Sequence, residues 1–182
     1  MVWGARVEGQ VGVGPREENR SAAFERLLAA ELLRSYRLAT VILGNPVEAE
    51  DATHDAAVRA WRSFGSIRDP SRFGPWFQRI LVNVCRRRLA GRQPSVFDAE
   101  MPASDASEHI AEQEALDRAM ARLTPDHRAV IALRFLEDLT EAQTAERIGI
   151  PVGTVKSRLH YALSALRAAY AADARLAEEP IR

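Results

Sequence analysis

The sequence predicts an all-α protein made of two small helical domains joined by a flexible acidic linker. Apolar residues recur at spacings of three or four in several segments, and no stretch alternates between apolar and polar residues as a strand does. Between residues 91 and 105, two prolines, small residues and acids interrupt this helical pattern. The breaks divide the chain into a disordered tail (1–20), a first domain (21–92), a linker (93–106), a second domain (107–172) and a C-terminal tail (173–182).

The first domain opens with two predicted helices that meet at Gly44. Asn45 caps the second helix, because its side chain can accept a backbone hydrogen bond and Pro46 suits the first helical position. This helix runs to about Phe64. The residues predicted to face the core are Phe24, Leu27, Leu28, Leu32, Tyr36, Ala39 and Leu43 in the first helix, and Ala57, Val58, Trp61 and Phe64 in the second.

The other side of the second helix is acidic, with Asp51, His54 and Asp55 at its centre. Acids near a helix N-terminus are favoured by the helix dipole, so an ordinary solvated face explains them. The residues alone leave open whether these acids have a further role.

A third helix, opened by Pro75 after a loop at residues 65–74, carries an arginine-rich face. No acid occurs from residue 76 to residue 92. Such a helix repels itself unless an anion lies near it, and the nucleic acid backbone is the obvious candidate. A basic solvated surface is the alternative. Trp76 fits a core position better than a base-stacking position. The polar residues of this face are Arg79, Asn83, Arg86 and Arg87.

The second domain begins with a helix around residues 107–123, and Thr124 caps the next, whose apolar residues include Val130, Ile131, Leu133 and Phe135. Residues 140–161 then predict a helix-turn-helix. Thr140 and Gln143 form a capping box, and Gly149 ends the first helix. In the second helix Val155 and Leu159 face inward. The outward residues, of the kind that reach phosphates and base edges, are Thr154, Lys156, Ser157, His160 and Tyr161.

The charge distribution favours a nucleic-acid partner although the formal net charge is zero. Residues 76–92 contain five arginines and no acid, whereas residues 93–115 contain six acids and no lysine or arginine. The neutral total therefore hides a basic segment followed at once by an acidic one.

Composition and motifs predict no enzyme, no metal site and no cofactor. The four histidines are scattered, and no glycine-rich phosphate loop or nucleophile elbow occurs. Cys85 is the single cysteine, which excludes an intramolecular disulfide and fits a reducing cytoplasm; we expect a small half-buried residue rather than a reactive thiol. No apolar run approaches the roughly 18 residues of a membrane span, so no membrane insertion is predicted.

With these pieces in place, the chain resembles the extracytoplasmic-function (ECF, group IV) sigma factors of bacterial RNA polymerase, which keep a region 2 and a region 4 domain. The most specific stretches are residues 45–61, 73–83 and 149–159, in this order and split by an acidic linker. The resemblance implies a transcription initiation factor that binds core polymerase, recognises −35 duplex and melts the −10 element. It also implies a cytoplasmic protein, commonly held inactive by an anti-sigma factor.

The resemblance assigns a role to each polar set. Asp51, His54 and Asp55 would dock on the clamp helices of the polymerase β′ subunit, with the β flap as a further contact. The −10 strand would be held by Arg79, Asn83, Arg86 and Arg87. The −35 duplex would be contacted by Arg134, Thr154, Lys156, Ser157, His160 and Tyr161. The linker would run through the polymerase channel.

One departure and two alternatives accompany this interpretation. Thr144 and Arg147 stand where the family is often aliphatic, so we expect the first helix of the helix-turn-helix to pack differently or less tightly. A helix-turn-helix regulator with an N-terminal dimerisation or sensor module is the main alternative, but it needs neither an Arg/Asn helix for single strands nor an acidic linker. A helical adaptor or anti-sigma antagonist would not need the capped helix-turn-helix.

Overall fold

The computed structural model describes residues 15–90 and 108–178, and both ranges are helical. Within them no strand occurs, which confirms the all-α class. The predicted linker, residues 93–106, lies outside the described residues. Among the described helices, none combines the length and the apolar character that a membrane span requires.

The α-helices of these ranges are α1 (Pro15–Leu43), α2 (Pro46–Ser63), α3 (Phe73–Leu89), α4 (Glu108–Ala121), α5 (Pro125–Ile131), α6 (Glu141–Ile148) and α7 (Val152–Glu178). Two 3-10 turns, Phe64–Ser66 and Pro70–Arg72, connect α2 to α3. A π-helical turn, Ala132–Leu136, connects α5 to α6. These two connections therefore contain short helical turns, and the other connections within the described ranges are only two or three residues long.

Both outer helices extend beyond their predicted ends. Helix α1 begins at Pro15, so residues 15–20 are helical rather than part of a disordered tail. Proline is favoured at the first helical position, which fits a helix that begins at Pro15. Helix α7 continues to Glu178. Its last residues are mostly alanine, arginine and other good helix formers, which explains why the helix does not end at residue 172.

Helices α1, α2 and α3 pack together as a first unit, and α2 meets its neighbours through alanines rather than through its large residues. The fully buried positions of α2 are Ala49, Ala52, Thr53, Ala56 and Ala60. Trp61 and Val58, both predicted to be buried, remain 37% and 36% exposed. A face of small side chains lets helices approach closely, so the larger residues are displaced to its edge. In α1, Leu32, which was predicted to face the core, is 44% exposed, whereas Leu38 is fully buried.

An aromatic cluster closes one end of this unit. Phe24 of α1 lies edge-to-face against Trp61 and Phe64, with ring centroids 5.2 Å apart in both pairs. Phe73 and Phe77, at the start of α3, are fully buried and stacked at 5.8 Å. Trp76 packs partly buried against this core, as predicted. The cluster fixes where α3 begins and therefore which of its faces looks outward.

Helices α4 to α7 form a second unit around Val130, Leu133, Val155 and Ala162, all of them buried. Phe135, predicted to face this core, is 58% exposed. The backbone N–H of Glu137 donates to the carbonyl of Ala132 at 3.1 Å, which is the i to i+5 bond of a π-turn. This wider turn changes the register after Leu133, so Phe135 points away from the core.

The two units also pack against each other. Helix α3 contacts α5 and α6, and α1 contacts α5 and the π-turn. Buried residues of both units belong to one continuous hydrophobic cluster. The side of α3 that bears Arg79 and Arg86 therefore faces the second unit.

Candidate nucleic-acid interface

The helix-turn-helix is built by local hydrogen bonds that the sequence predicted. The backbone N–H of Gln143 donates to Thr140 Oγ1 at 3.3 Å, and the backbone N–H of Thr140 donates to Gln143 Oε1 at 2.9 Å, which together form the capping box. Gly149 ends α6 with φ 77°, a backbone conformation that favours glycine. The Pro151 carbonyl then accepts from the N–H of Thr154 and Val155, which starts α7.

The outward face of α7 has the composition of a DNA-reading surface. Val155 is 1% exposed and anchors the helix, whereas Lys156, Ser157, His160 and Tyr161 are exposed. Lys156 Nζ lies 3.6 Å from a Glu141 carboxylate oxygen at the start of α6. The rings of His160 and Tyr161 meet edge to face at 5.7 Å. Thr154 is half-buried at the start of this face. Four of the five predicted outward residues of α7 are thus presented on one surface.

Arg134 belongs to the π-turn rather than to α7. Its guanidinium lies 5.6 Å from the centre of the Phe135 ring and 3.6 Å from a carboxylate oxygen of Asp138. Asp138, the second residue after this turn, has φ 50°, an unusual value for a residue other than glycine. The π-turn therefore fixes the position of Arg134 beside an exposed aromatic residue.

The two unusual residues of α6 have separate explanations. Thr144 is fully buried, and its hydroxyl has no hydrogen-bond partner, so it occupies an aliphatic position without loosening the packing. Arg147 is half-buried, and its Nε donates to the side-chain oxygen of Gln78 at 3.0 Å. Burial lowers the pKa of the Arg147 guanidinium. The helix is therefore not less tightly packed, but its arginine is directed at α3.

The predicted −10 residues of α3 do not all face solvent. Arg79 and Arg87 are exposed, whereas Asn83 and Arg86 are half-buried. Arg86 Nε donates to Asp126 Oδ1 at 3.0 Å, and Asp126 also ion-pairs with Arg158 of α7 at 3.1 Å. Arg158 was not predicted as a site residue. The packing of α7 against α5 places it beside Asp126, and the sequence alone does not reveal this relationship.

A cavity of about 370 Å³ lies between the loop before α3, the start of α3 and the helix α6. Four of its lining residues are arginines: Arg68, Arg72, Arg79 and Arg147. Trp76 forms part of the wall, and Arg72 is ion-paired with Glu146 at 3.2 Å. The loop is shaped by Asp69, which accepts from the hydroxyl and the N–H of Ser71; these hydrogen bonds lower the pKa of Asp69. Arg68 and Arg72 extend the basic surface beyond the predicted set.

The acidic face of α2 is joined to α3 by Arg88, which was not among the predicted site residues. Arg88 Nη2 donates to Asp55 Oδ2 at 2.6 Å, and Asp51 lies 3.8 Å from the same guanidinium. The hydrogen bond from Arg88 lowers the pKa of Asp55, and the same bond raises the pKa of Arg88. His54 and Asp51 remain exposed. Arg88 therefore holds the ionised Asp55 carboxylate in place on this surface.

Two further expectations concern chemistry. Within the described ranges, no group of three or more His, Cys, Asp or Glu side chains could hold a metal ion. Cys85 is fully buried rather than half-buried, and this burial raises the pKa of its thiol to about 12. A thiol in that state is a packing residue.

Comparison with known proteins assigns the two units to one family. The model of Sigma-70 region 2 matches residues 27–94, and that of Sigma-70, region 4 matches residues 119–168. The ECF RNA polymerase sigma factor SigM of Mycobacterium tuberculosis is 31% identical over 163 residues, which are 81% of this chain and 83% of SigM. The chain belongs to the ECF RNA polymerase sigma factors. The sigma-E factor of Streptomyces coelicolor is also similar, at 33% identity over 75% of this chain and 77% of its own.

Two solved structures share the fold. The sigma factor RpoE of Bartonella quintana, determined with the anti-sigma factor NepR, superposes with a TM-score of 0.64 at 24% identity, covering 80% of this chain and 95% of that one. CnrH, determined with the cytosolic domain of CnrY, gives 0.61 at 23% identity, covering 84% and 90%. As an ECF sigma factor, the chain is a transcription initiation factor that directs RNA polymerase to promoters, and it is not an enzyme.

Membership in this family decides between the alternatives. A helix-turn-helix regulator with a dimerisation or sensor module would have no region 2. In this chain, the region 2 model matches most of α1 and all of α2 and α3. In this sigma factor, region 4 comprises the end of α4, then α5, α6 and the first part of α7. The outward face of α7 belongs to region 4 and the arginine-rich face of α3 to region 2.

Proposed function

We propose that this sigma factor reads its promoter with two differently built surfaces: a flat helix face on region 4 for the −35 duplex, and a recessed arginine-lined surface on region 2 for the melted −10 strand. The observation that supports this division is the contrast between them. The outward face of α7 is exposed along Lys156, Ser157, His160 and Tyr161. The surface around α3 instead contains a cavity walled by Trp76 and arginines.

The exposed helix face suits a duplex. A helix in the major groove contacts phosphates and base edges through side chains that project from one face, and the buried Val155 holds this face in place. Lys156, the only lysine in the sequence, supplies a compact cation for a phosphate. We assign −35 contacts to Arg134, Thr154, Lys156, Ser157, His160 and Tyr161.

The recessed surface suits an unpaired strand. Unstacked bases bind in pockets where an aromatic wall and arginines contact their faces and edges, while neighbouring cations hold the backbone. Arg79 lines the cavity together with Arg68 and Arg72 of the preceding loop, and Asn83, Arg86 and Arg87 follow further along α3. We assign the −10 strand to this surface.

The acidic face of α2 is proposed to dock on the β′ clamp helices of core polymerase. Asp51 and His54 are exposed, and Arg88 holds Asp55 ionised. Charged groups that are fixed in position lose little side-chain entropy on binding. Region 4 would contact the β flap, and the linker at residues 93–106 would join region 2 (21–92) to region 4 (107–172). Since its partner is RNA polymerase, the protein would act in the cytoplasm.

A cognate anti-sigma factor is a further proposed partner. The sigma factor RpoE of Bartonella quintana, which shares the fold, was solved with the anti-sigma factor NepR. Co-purification of a tagged copy from its own host, followed by loss of initiation when the captured protein is added back, tests this partner. Initiation that the captured proteins leave unchanged would contradict it.

Reconstitution with core polymerase tests the main proposal. The purified chain added to bacterial core polymerase should direct initiation from a cognate promoter selected from a genomic library. Initiation should require both a −35 duplex and a meltable −10 element, so scrambling either one should abolish it. Tight promoter binding without core polymerase, combined with no initiation on any library member, would contradict the proposal.

A further inference from the structure

The first turn of α3, where the surface assigned to the −10 strand begins, contacts a carboxyl group of α1. A Cβ added to Gly74, the second residue of α3, would lie 2.6 Å from Oε1 and 2.9 Å from Cδ of Glu31. Both distances are shorter than the separation of about 3.5–4.0 Å that non-bonded carbon atoms prefer. The Glu31 carboxyl group therefore occupies the space that any other side chain at position 74 would need.

Backbone conformation does not explain the glycine at this position. Glycine is less favourable than alanine within a helix. It is the usual residue where the backbone requires a positive φ, and Gly44 and Gly149 are such cases in this chain. Gly74 does not belong to these positive-φ glycines. What the glycine provides is room for Glu31.

Glu31 is a half-buried acid whose inner oxygen is not satisfied by the protein. Its Oε2 is buried and has no hydrogen-bond partner among the described residues. Burial of a carboxylate oxygen without a partner is unfavourable, so stability alone would favour an apolar residue here. Ser35, one turn further along α1, is fully buried, and its hydroxyl also lacks a partner within the described ranges. Polar groups that are kept at such a cost indicate a role beyond stability.

The place of this carboxyl group suits the positive end of α3. The helix dipole gives a helix N-terminus a partial positive charge, which stabilises a nearby anion. Helix α3 has no acid in its first turn, and the side chain of Arg72, at its N-cap, makes no capping hydrogen bond. Asp69 caps the separate 3-10 turn that precedes the helix. Glu31 therefore supplies, from the neighbouring helix, the negative charge that the first turn of α3 lacks.

The first turn of α3 also determines where the wall of the −10 cavity lies. Trp76 and Arg79, which line the cavity, follow within the first two turns of the helix. Phe73, the first residue of the helix, contacts Phe24 of α1 with ring centroids 5.8 Å apart. The turn thus has an apolar contact and a charged contact with α1. Side chains of a binding site keep their geometry only when the residues behind them are fixed.

We propose that Glu31 is a positioning residue for the −10 surface: its carboxylate, in the space left by Gly74, fixes the first turn of α3 and thereby Trp76 and Arg79. The inference rests on the proposed function of α3. Glu31 acts through the helix and does not itself contact DNA. Loss of the contact slows melting, because capture of the −10 strand requires this geometry. It leaves closed-complex binding nearly unchanged, because the −35 surface lies on α7.

Two substitutions remove the contact in different ways. Glu31→Gln keeps the shape and removes the charge, whereas Gly74→Ala keeps the charge and displaces the carboxyl group. In holoenzyme, each should slow open-complex formation by about threefold or more, the scale of one helix-dipole interaction, and change closed-complex binding by less than about twofold. The double variant should be no slower than the slower single variant, because both remove one contact. Losses that multiply, or single variants as fast as the parent, would overturn the proposal.

A control and a rescue separate positioning from a general effect of substitution. Gly153→Ala is the matched control, since Gly153 is also the second residue of a helix and an added Cβ there has no neighbour within 4 Å. At saturating holoenzyme it should open the promoter at the parent's rate. Glu31→Asp in the Gly74→Ala background shortens the acid and makes room for the methyl group, so it should restore at least about half of the lost rate. A rescue variant as slow as Gly74→Ala, at equal stability in urea, means that the contact is not the cause.

The competing explanation is that Glu31 serves as a counter-ion for Arg147 of α6, with which it interacts electrostatically. In that case Glu31→Gln would have no effect once Arg147→Gln is present. We expect the same loss of opening rate in both backgrounds, measured by permanganate reactivity of the melted −10 element. A parent chain that does not initiate with core polymerase would contradict the proposed function and this inference with it. A parent that initiates, with variants that open the promoter equally fast, would contradict the inference alone.

Discussion

Arg88 of α3 donates to Asp55 of α2 at 2.6 Å, so the helix assigned to the −10 strand also fixes a carboxylate on the face assigned to polymerase. The two residues are 33 positions apart in the sequence. The Arg88–Asp55 pair therefore links the proposed DNA-binding surface of α3 to the proposed polymerase-binding face of α2. It also leads to the first prediction.

Arg88→Ala should raise the pKa of Asp55 toward its ordinary range, because the hydrogen bond from Arg88 is the main cause that lowers it. A carboxyl group with a lowered folded-state pKa stabilises the fold above its unfolded pKa, which is about 3.9, and this contribution is lost as pH falls through the folded value. The variant should therefore have a smaller free energy of unfolding at neutral pH. Below about pH 4, its free energy of unfolding should change less with pH than that of the parent. Carboxyl NMR titration measures the shift; Arg87→Ala, which removes the neighbouring exposed cation, should leave Asp55 nearly unchanged. The same Asp55 pKa in parent and Arg88→Ala would contradict the assignment.

Lys156→Ala should weaken binding of the holoenzyme to −35 duplex and reduce the slope of log affinity against log salt by about 1, as expected for one lost phosphate contact. Fluorescence anisotropy over a range of salt concentrations measures both quantities. Arg167→Ala is the matched control, since Arg167 is exposed further along the same helix. If Arg167→Ala reduces the slope as much as Lys156→Ala, the effect is one of net charge and the assigned contact is wrong.

Asn83→Ala should slow open-complex formation more than it weakens closed-complex binding, because an amide aimed at an unpaired base contributes only after melting. Permanganate reactivity of unpaired thymines measures the open complex, and filter binding at low temperature measures the closed one. Asn83→Ser, which keeps a shorter polar group, should lie between parent and alanine variant. Equal losses in both assays would remove the proposed role.

Local sequence signals predicted the helices and their caps, because the relevant atoms lie within four residues of one another. Asn45, Thr140 and Gly149 each end or begin a helix as expected. The outward face of α7 was predictable for the same reason: a periodic pattern of apolar residues defines it, and Val155 is buried where the pattern placed it.

Packing decided what local signals could not. A tryptophan is a better candidate for burial than an alanine, yet Ala60 is buried and Trp61 is 37% exposed, because close helix approach depends on the neighbouring helix. The π-turn that exposes Phe135 has no clear local signature. Pairs such as Gln78 with Glu137 join distant parts of the chain, so periodicity carries no information about them.

Cys85 should be unreactive in the folded protein. Its thiol is fully buried with a pKa of about 12, so at pH 8 roughly one molecule in ten thousand carries the thiolate. Ellman's reagent should modify it only after unfolding in urea, with a rate that follows the unfolded fraction. Stoichiometric reaction of the native chain within seconds would show that α3 leaves its core position readily.

Thr144→Val should stabilise the protein by about 1 kcal/mol, because the buried Thr144 hydroxyl has no hydrogen-bond partner and its desolvation is uncompensated. Valine keeps the branched shape and removes the polar atom. Urea unfolding followed by circular dichroism measures the change in the free energy of unfolding. Thr53→Val provides the control: Thr53 is also buried in a helix, but its hydroxyl donates to the Ala49 carbonyl at 2.7 Å, so the same substitution there should give no gain. A loss of stability in Thr144→Val would show that the hydroxyl is satisfied in solution, and a hydrogen-bonded water beside α6 would then be the group to look for.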